Sequence, residues 1–138
     1  MVNEDIIVSK AATIERCAAR IQEVYDGNPD NLADYTKQDS IVLNIQRACE
    51  ASIDLAMHLV SENRLGVPKA SRDAFLLLQE NGILSNELAS NLVKMVGFRN
   101  IAVHDCQAID LQILQAIVEK HVQDFTALTT YLLARLDD

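Results

Sequence analysis

The sequence predicts an all-α protein, an antiparallel bundle of four long helices and one short helix. Apolar residues recur at spacings of three and four along most of the chain, whereas no segment alternates between apolar and polar residues with a period of two. Only two prolines and four glycines occur among the 138 residues. A chain of this length fits a single domain, 1–138, and is long enough to bury a hydrophobic core.

The first half of the chain predicts two long helices, separated by a turn at Asp26-Gly27-Asn28-Pro29. The first helix has one apolar seam, made of Ile7, Ala11, Ile14, Ala18, Ile21 and Tyr25. The second, within Leu32 to Arg64, has two overlapping stripes, which are Ile41, Ile45, Ala48, Ser52, Leu55 and Leu59, and Val42, Cys49, Ile53, Ala56 and Val60. A helix that is apolar on two adjacent faces is expected at the centre of the bundle.

The second half predicts three further helices, each preceded by a residue that can act as an N-cap. Ser71 is the expected cap of the short helix, which contains Phe75 and ends at Asn81-Gly82, and Ser85 is the expected cap of the next helix. Asp110 is then expected to cap a last long helix. The apolar seam of that helix consists of Leu111, Leu114, Val118, His121, Phe125, Leu128 and Leu132.

Charge and composition exclude several classes of function. Twelve Lys and Arg residues against twenty Asp and Glu residues give a net charge of −8, so any recognition of nucleic-acid phosphate must be local. No glycine-rich nucleotide loop, zinc-protease motif or serine-hydrolase motif occurs, and we expect neither a metal nor a cofactor. Cys17, Cys49 and Cys106 are widely spaced and odd in number, which favours a reducing cytoplasm. No apolar run is long enough to cross a membrane, and we expect a soluble protein.

Several polar residues have structural interpretations. His58 is expected to be a structural or surface histidine, and His121, which lies in an apolar seam, is expected to be a hydrogen-bonded core or interface imidazole. Glu50 and Asp54 are four residues apart near Arg47. They either belong to the surface electrostatics or pair with a buried arginine.

The segment 94–106 differs from the rest because a charged residue, Arg99, lies inside an apolar stripe. The residues from which a step of three or four reaches Arg99 are Met95, Val96, Ala102 and Val103. A charge in this position is costly unless it is paired or lines a polar site. His104 follows five residues later, about 140° around a continuous helix. The two side chains converge if the helix ends near His104, or if a second copy supplies the same pair across a two-fold interface.

Arg99 and His104 have a structural and a functional interpretation. In the structural one, a buried carboxylate neutralises the arginine and the histidine interacts with the dipole at a helix C-terminus. In the functional one, the two residues cleave RNA: a base takes the proton of the 2′-hydroxyl, the arginine stabilises the phosphorane, and an acid protonates the leaving 5′-oxygen. Two copies of the histidine, one from each subunit, could divide the roles of base and acid.

The segment Arg99-Asn100-Ile101-Ala102-Val103-His104 resembles the R-x4-H signature, in its R-N-x-x-x-H form, of HEPN domains. It is most similar to the HepT-like toxins that are encoded beside a minimal nucleotidyltransferase antitoxin, MntA, and the resemblance extends over 39–57, 71–84 and 88–104. It implies a homodimeric, metal-independent endoribonuclease toxin. Arg99 and His104 of both protomers would line one cleft, Asn100 would support the motif, and an MntA-like antitoxin would be the partner.

One position departs from the family pattern, which often extends to R-x4-H-x-Y. The tyrosine of that pattern receives AMP from the antitoxin, and here the matching position is Cys106. A thiol is not an established replacement for the phenol, so occlusion of the cleft and modification of another residue are alternative ways to inhibit the toxin.

A second hypothesis for the chain is a catalytically idle HEPN dimer that serves as the binding subunit of a separate nucleotidyltransferase. The acidic surface favours this hypothesis, because it repels RNA at long range. The intact Arg99 and His104 count against it.

Overall fold

The computed structural model describes residues 4–104 and 109–136, and it describes side chains throughout these ranges except at 99–104. The helical elements are α1 (Glu4–Tyr25), a 3₁₀ turn (Pro29–Ala33), α2 (Tyr35–Glu62), α3 (Ser71–Glu80), α4 (Asn86–His104), α5 (Leu111–Ala116), a π turn (Ile117–His121) and α6 (Val122–Arg135). The last three follow one another without a break and form one long helix, α5–α6. No strand occurs in the described ranges, and the predicted bundle of four long helices and one short helix is confirmed.

Helix α1 runs antiparallel to α2. Lys10 Nζ, near the start of α1, lies 3.0 Å from Asp54 Oδ2, near the end of α2. At the opposite end of the pair, Arg20 and Ser40 line one groove. All the apolar residues predicted for the seams of these two helices are buried, so this part of the core is confirmed.

Helix α1 also runs antiparallel to α5–α6. The side-chain amide of Gln22 donates a hydrogen bond to the carbonyl of Val118 at 3.2 Å, and Ile7 and Leu132, at the other end, line one pocket. Helices α2 and α5–α6 therefore both run antiparallel to α1. No helix in the described ranges is both long and apolar enough to span a membrane.

The structure defines the start of α2 and corrects the predicted start of the short helix. Helix α2 begins at Tyr35, inside the predicted segment, and the Asp34 carboxylate caps it by accepting the N–H of Lys37 at 3.1 Å. Ser71 as the N-cap of the short helix is wrong, since Ser71 is the first helical residue of α3. The Asp73 carboxylate instead accepts the N–H groups of the two residues before the helix, each at 3.1 Å.

The last helix follows the prediction at its start and departs from it in the middle. Asp110 caps it, since its carboxylate accepts the N–H of Gln112 at 2.8 Å. The π turn then inserts one extra residue, which shifts the apolar face from the predicted His121 to Val122, a buried residue. Leu111 is also wrong as a core residue, because it is 39% exposed at the start of the helix, where no described segment covers it.

The π turn is held by the C-terminal end of α1. The hydroxyl of Tyr25 donates a hydrogen bond to Glu119 Oε2, while the Gln22 amide satisfies the Val118 carbonyl. Burial, together with the hydrogen bond and the charge of Glu119, raises the pKa of Tyr25 to about 12. The protonated phenol is thus part of the packing between α1 and the last helix.

We expect Tyr25→Phe to lower the free energy of unfolding by about 1 kcal/mol near neutral pH, because the bond to Glu119 is lost. A folded-state pKa above the unfolded value means that this contribution is complete below pH 10 and is lost as the pH rises from 10 to about 12. Urea unfolding of both proteins across that range measures the difference. The control is Tyr35→Phe, at a tyrosine that is 80% exposed, and an unchanged difference between pH 10 and 12 would contradict the assignment.

Candidate active site

Helix α4 contains the predicted motif in its last two turns. The Ser85 hydroxyl accepts the N–H of Leu88 at 3.1 Å, which confirms the predicted cap. The helical backbone continues from Asn86 to His104, so Arg99, Asn100 and His104 belong to one helix. The buried residues that precede the motif on α4 are Ala89, Leu92, Met95 and Val96.

A continuous helix separates positions 99 and 104 by about 140° around its axis and about 7.5 Å along it. The side chains of Arg99, Asn100 and His104 lie outside the described part of the structure, as does the whole of Cys106. Both predicted ways of bringing the arginine and the histidine together therefore stay predictions.

The contact between α2 and α4 determines the position of the motif along the axis of the bundle. The thiol of Cys49, a buried residue of α2, donates a hydrogen bond to the carbonyl of Met95 at 3.5 Å, one turn before Arg99. The motif therefore begins one helical turn above this contact with the central helix.

Helix α4 runs antiparallel to α5–α6. The amide of Asn91 donates to Asp124 Oδ1 at 3.4 Å, and further along α4 the ring of Phe98 and the side chain of Ile113 line one recess. Since α5–α6 is antiparallel to α1, and α1 to α2, α4 is also antiparallel to α2. The C-terminal end of α4 therefore lies at the same end of the bundle as the start of α2.

The recess between α4 and the last helix has a volume of about 440 Å³. Its lining is largely apolar and includes Met95, Phe98, Ile113 and Ile117, with Lys94 and His121 as its charged or titratable residues. We call it the apolar recess. It adjoins the motif, because Phe98 directly precedes Arg99 in the chain.

A buried carboxylate orients the imidazole of His121 beside this recess. His121 Nδ1 lies 3.1 Å from Asp124 Oδ2, and Asp124 is only 8% exposed, with its second oxygen bonded to Asn91. His121 is hydrogen-bonded, as expected, but it lines the recess and Val122 takes its predicted place in the buried seam. An imidazole held in this way presents its second ring nitrogen in a defined direction.

Comparisons with known proteins give one consistent relationship. The family model described as Ribonuclease HepT-like matches residues 14–132. The chain belongs to the HepT-like ribonuclease family. The predicted resemblance is thus confirmed, and with it the class of enzyme, an endoribonuclease.

Relatives of this HepT-like ribonuclease match it over almost their full length. The mRNA nuclease HepT of Shewanella oneidensis is 50% identical over 121 residues, which are 88% of this chain and 91% of that protein. The structure of a tri-AMPylated Shewanella oneidensis HEPN toxin in complex with MNT antitoxin matches with a TM-score of 0.89 and 48% identity, covering 94% of this chain and 98% of that one. A crystal structure of a toxin–antitoxin with AMP-PNP matches with a TM-score of 0.88, 49% identity and the same coverage.

The other polar residues singled out in the sequence of this HepT-like ribonuclease have varied surroundings. Asp54 forms a surface ion pair with Lys10, as its structural interpretation predicted. His58 is half-buried, and its Nε2 is buried without a hydrogen-bond partner among the described residues. In the ranges that the structure describes, no three His, Cys, Asp or Glu residues are grouped as they would be around a metal ion.

Sequence reasoning missed the network of Asn91, Asp124 and His121. A usable signal was present, because an aspartate three residues after a seam histidine occupies the same side of a helix. The link to Asn91 depends on the packing of α4 against the last helix, and no local pattern contains it.

We expect Asp124→Ala to lower the free energy of unfolding of this HepT-like ribonuclease by about 1–3 kcal/mol, because the Asn91 amide and the His121 ring both lose their acceptor in a largely buried place. Chemical denaturation measures the change. Thr130→Ala, at an exposed position of the same helix, is the control and should change stability by less than about 0.5 kcal/mol. Equal stability of the two variants would show that the network is not structural.

Proposed function

We propose that this HepT-like ribonuclease is the toxin of a toxin–antitoxin module and cleaves RNA with Arg99 and His104, without a metal ion. The observation that carries the proposal is the R-N-x-x-x-H motif at the end of α4, in a chain 50% identical over 121 residues to an mRNA nuclease. That relative makes mRNA the first substrate to test. We further propose that residues 1–138 form one domain that acts in the cytoplasm.

The proposed chemistry assigns one role to each residue type. An imidazole of His104 takes the proton from the 2′-hydroxyl, whose oxygen attacks the adjacent phosphorus and forms the bond of a 2′,3′-cyclic phosphate. The guanidinium of Arg99 stabilises the charge on the phosphorane by donating a planar pair of N–H groups. A second imidazole protonates the leaving 5′-oxygen as its bond to phosphorus breaks. Asn100 supports the motif.

We infer a homodimer because a single copy of α4 does not bring positions 99 and 104 to one face of the helix. A second copy across a two-fold axis supplies the missing partner and the second imidazole. Exposed apolar side chains near this end of the bundle support the inference. Ile113 is 53% exposed and Leu111 is 39% exposed, and both belong to α5, beside the apolar recess.

We also propose a nucleotidyltransferase antitoxin of the MntA type as the partner of this chain. Support comes from the solved relatives, one of which is a HEPN toxin in complex with MNT antitoxin. That toxin is tri-AMPylated, whereas this chain has Cys106 at the position of the family's tyrosine. We therefore propose that the antitoxin inhibits this toxin by occluding its cleft or by modifying a residue other than Cys106.

We expect the wild-type protein, expressed without an antitoxin, to arrest growth, and the purified protein to cleave RNA in excess chelator. The products should end in a 2′,3′-cyclic phosphate or the 3′-phosphate derived from it. His104→Ala should reduce the cleavage rate by a factor of about 10²–10⁴, and Arg99→Lys by at least about tenfold, because a lysine lacks the planar fork. Mass spectrometry of the product ends and initial rates measure both effects.

The matched control is Arg72→Lys, at an exposed position of α3, which should cleave at the wild-type rate. Products that end in a 3′-hydroxyl, or activity lost in chelator, would contradict the metal-independent mechanism. A folded wild-type protein that neither cleaves RNA nor arrests growth would instead support the idle binding subunit.

A mixed dimer tests whether the two subunits share one site. One wild-type subunit and one His104→Ala subunit, co-expressed with different tags and purified through both, should cleave RNA at least about 100-fold more slowly than the wild-type dimer, because one of the two imidazoles is missing. The control is the mixed dimer of wild type with Arg72→Lys. Half of the wild-type rate in the His104→Ala mixture would mean that each subunit works independently.

A further inference from the structure

A groove of about 940 Å³ lies on the outer surface where α1 and α2 pack against each other. We call it the α1/α2 groove. Four of the chain's twelve Lys and Arg residues line it, namely Lys10, Arg16, Arg20 and Arg47, against three carboxylates. Cations therefore outnumber acids in this groove, although the protein as a whole has a net charge of −8.

Two of the four cations are already paired and two are not. Lys10 pairs with Asp54 at 3.0 Å, and Arg20 pairs with Glu23. Among the described residues, neither Arg16 nor Arg47 has an ion pair or a hydrogen bond through its guanidinium group. The groove thus contains one unpaired guanidinium group from each of its two helices.

Arg16 and Arg47 face the same part of the groove. Cys17, a buried residue, belongs to the same lining. Burial raises the pKa of its thiol overall, and the positive charges of both arginines are near enough to act in the opposite direction. Two guanidinium groups that share one site repel each other. An anion bound between them removes this repulsion and uses the planar donor forks of both residues.

The α1/α2 groove lies level with the R-x4-H motif. Cys49 of α2 contacts Met95 of α4, and the two helices run antiparallel. Along α2, Arg47 lies two residues beyond Cys49 toward one end of the bundle. Along α4, Arg99 lies four residues beyond Met95 toward the same end. At a rise of about 1.5 Å per residue, the positions of Arg47 and Arg99 along the bundle axis differ by about 3 Å. Gln46, which also lines the groove, is on the side of α2 nearer to Cys49 and α4.

We propose that the α1/α2 groove binds the sugar–phosphate backbone of the RNA substrate, with Arg16 and Arg47 holding a phosphate at the level of the motif along the bundle axis. Arg47 and Cys49 are two residues apart and therefore about 200° apart around α2, so the side chain of Arg47 lies on the side of α2 that faces away from α4. This inference rests on the proposed function and adds to it a site that positions the strand. It also explains how an acidic protein binds a polyanion, because the attraction is confined to one groove.

The test measures RNA binding without cleavage. In a His104→Ala background, the additional changes Arg16→Gln and Arg47→Gln remove two positive charges and keep the side-chain length. Fluorescence anisotropy with a labelled single-stranded RNA should show at least about fivefold weaker binding. The slope of log K against log salt should fall by about 1.4, since each lost phosphate contact on a single strand contributes about 0.7.

The matched control combines Arg64→Gln and Arg72→Gln, which remove the same charge from exposed positions outside the groove. This control should bind RNA as the His104→Ala protein does and should keep its salt slope. Equal binding by the groove variant and the control would overturn the inference. Lost binding of a purified antitoxin, with RNA binding unchanged, would also overturn it, because the groove would then belong to a protein partner.

The same proteins separate the two proposals. One case is that the wild-type chain cleaves RNA, and that a variant with an intact His104 and the changes Arg16→Gln and Arg47→Gln cleaves it at the same rate at low RNA concentration. In that case the groove inference fails and the proposed function stands. If the wild-type chain binds RNA and does not cleave it, the proposed function fails. The binding difference between the groove variant and its control then still decides the groove inference.

Discussion

Burial of α2 on two adjacent faces is the packing interaction on which the rest of the structure depends. This helix is about 42 Å long, and its buried residues extend from Ile41 to Val60. One of its faces packs against α1 and another against α4, so the orientation of both neighbours follows from a single element. The height of the R-x4-H motif relative to the α1/α2 groove is set by the same helix, through the contact of Cys49 with Met95.

The π turn is the second structural constraint near the motif. An extra residue inside a helix breaks the regular ladder of hydrogen bonds, and at this turn the carbonyl of Val118 accepts a bond from the side chain of Gln22 of α1. The same turn moves His121 out of the core and toward the apolar recess, where Asp124 orients its imidazole. Irregular backbone and buried polar groups thus occur together beside α4, whereas the far end of the bundle is packed by apolar residues such as Ile7 and Leu132.

The charges of the protein divide into a global and a local pattern. The net charge of −8 keeps polyanions away at long range, but this effect is screened over about 10 Å at ordinary salt. Within that distance, individual residues decide binding. Arg16 and Arg47 lack partners among the described residues and lie level with the motif, so the local potential differs from the average one.

The sequence by itself determined the fold class, the buried seams of α1 and α2, the caps at Ser85 and Asp110, and the position of the motif at the end of α4. These features are local or periodic, and a single chain contains the information because spacing along a helix dictates which residues share a face. Only the tertiary structure decided that Asp73 replaces Ser71 at the start of α3, that a π turn shifts the last seam, and that Arg16 and Arg47 line one groove. Such features depend on the register between helices, which side-chain packing sets across many residues and no local spacing encodes.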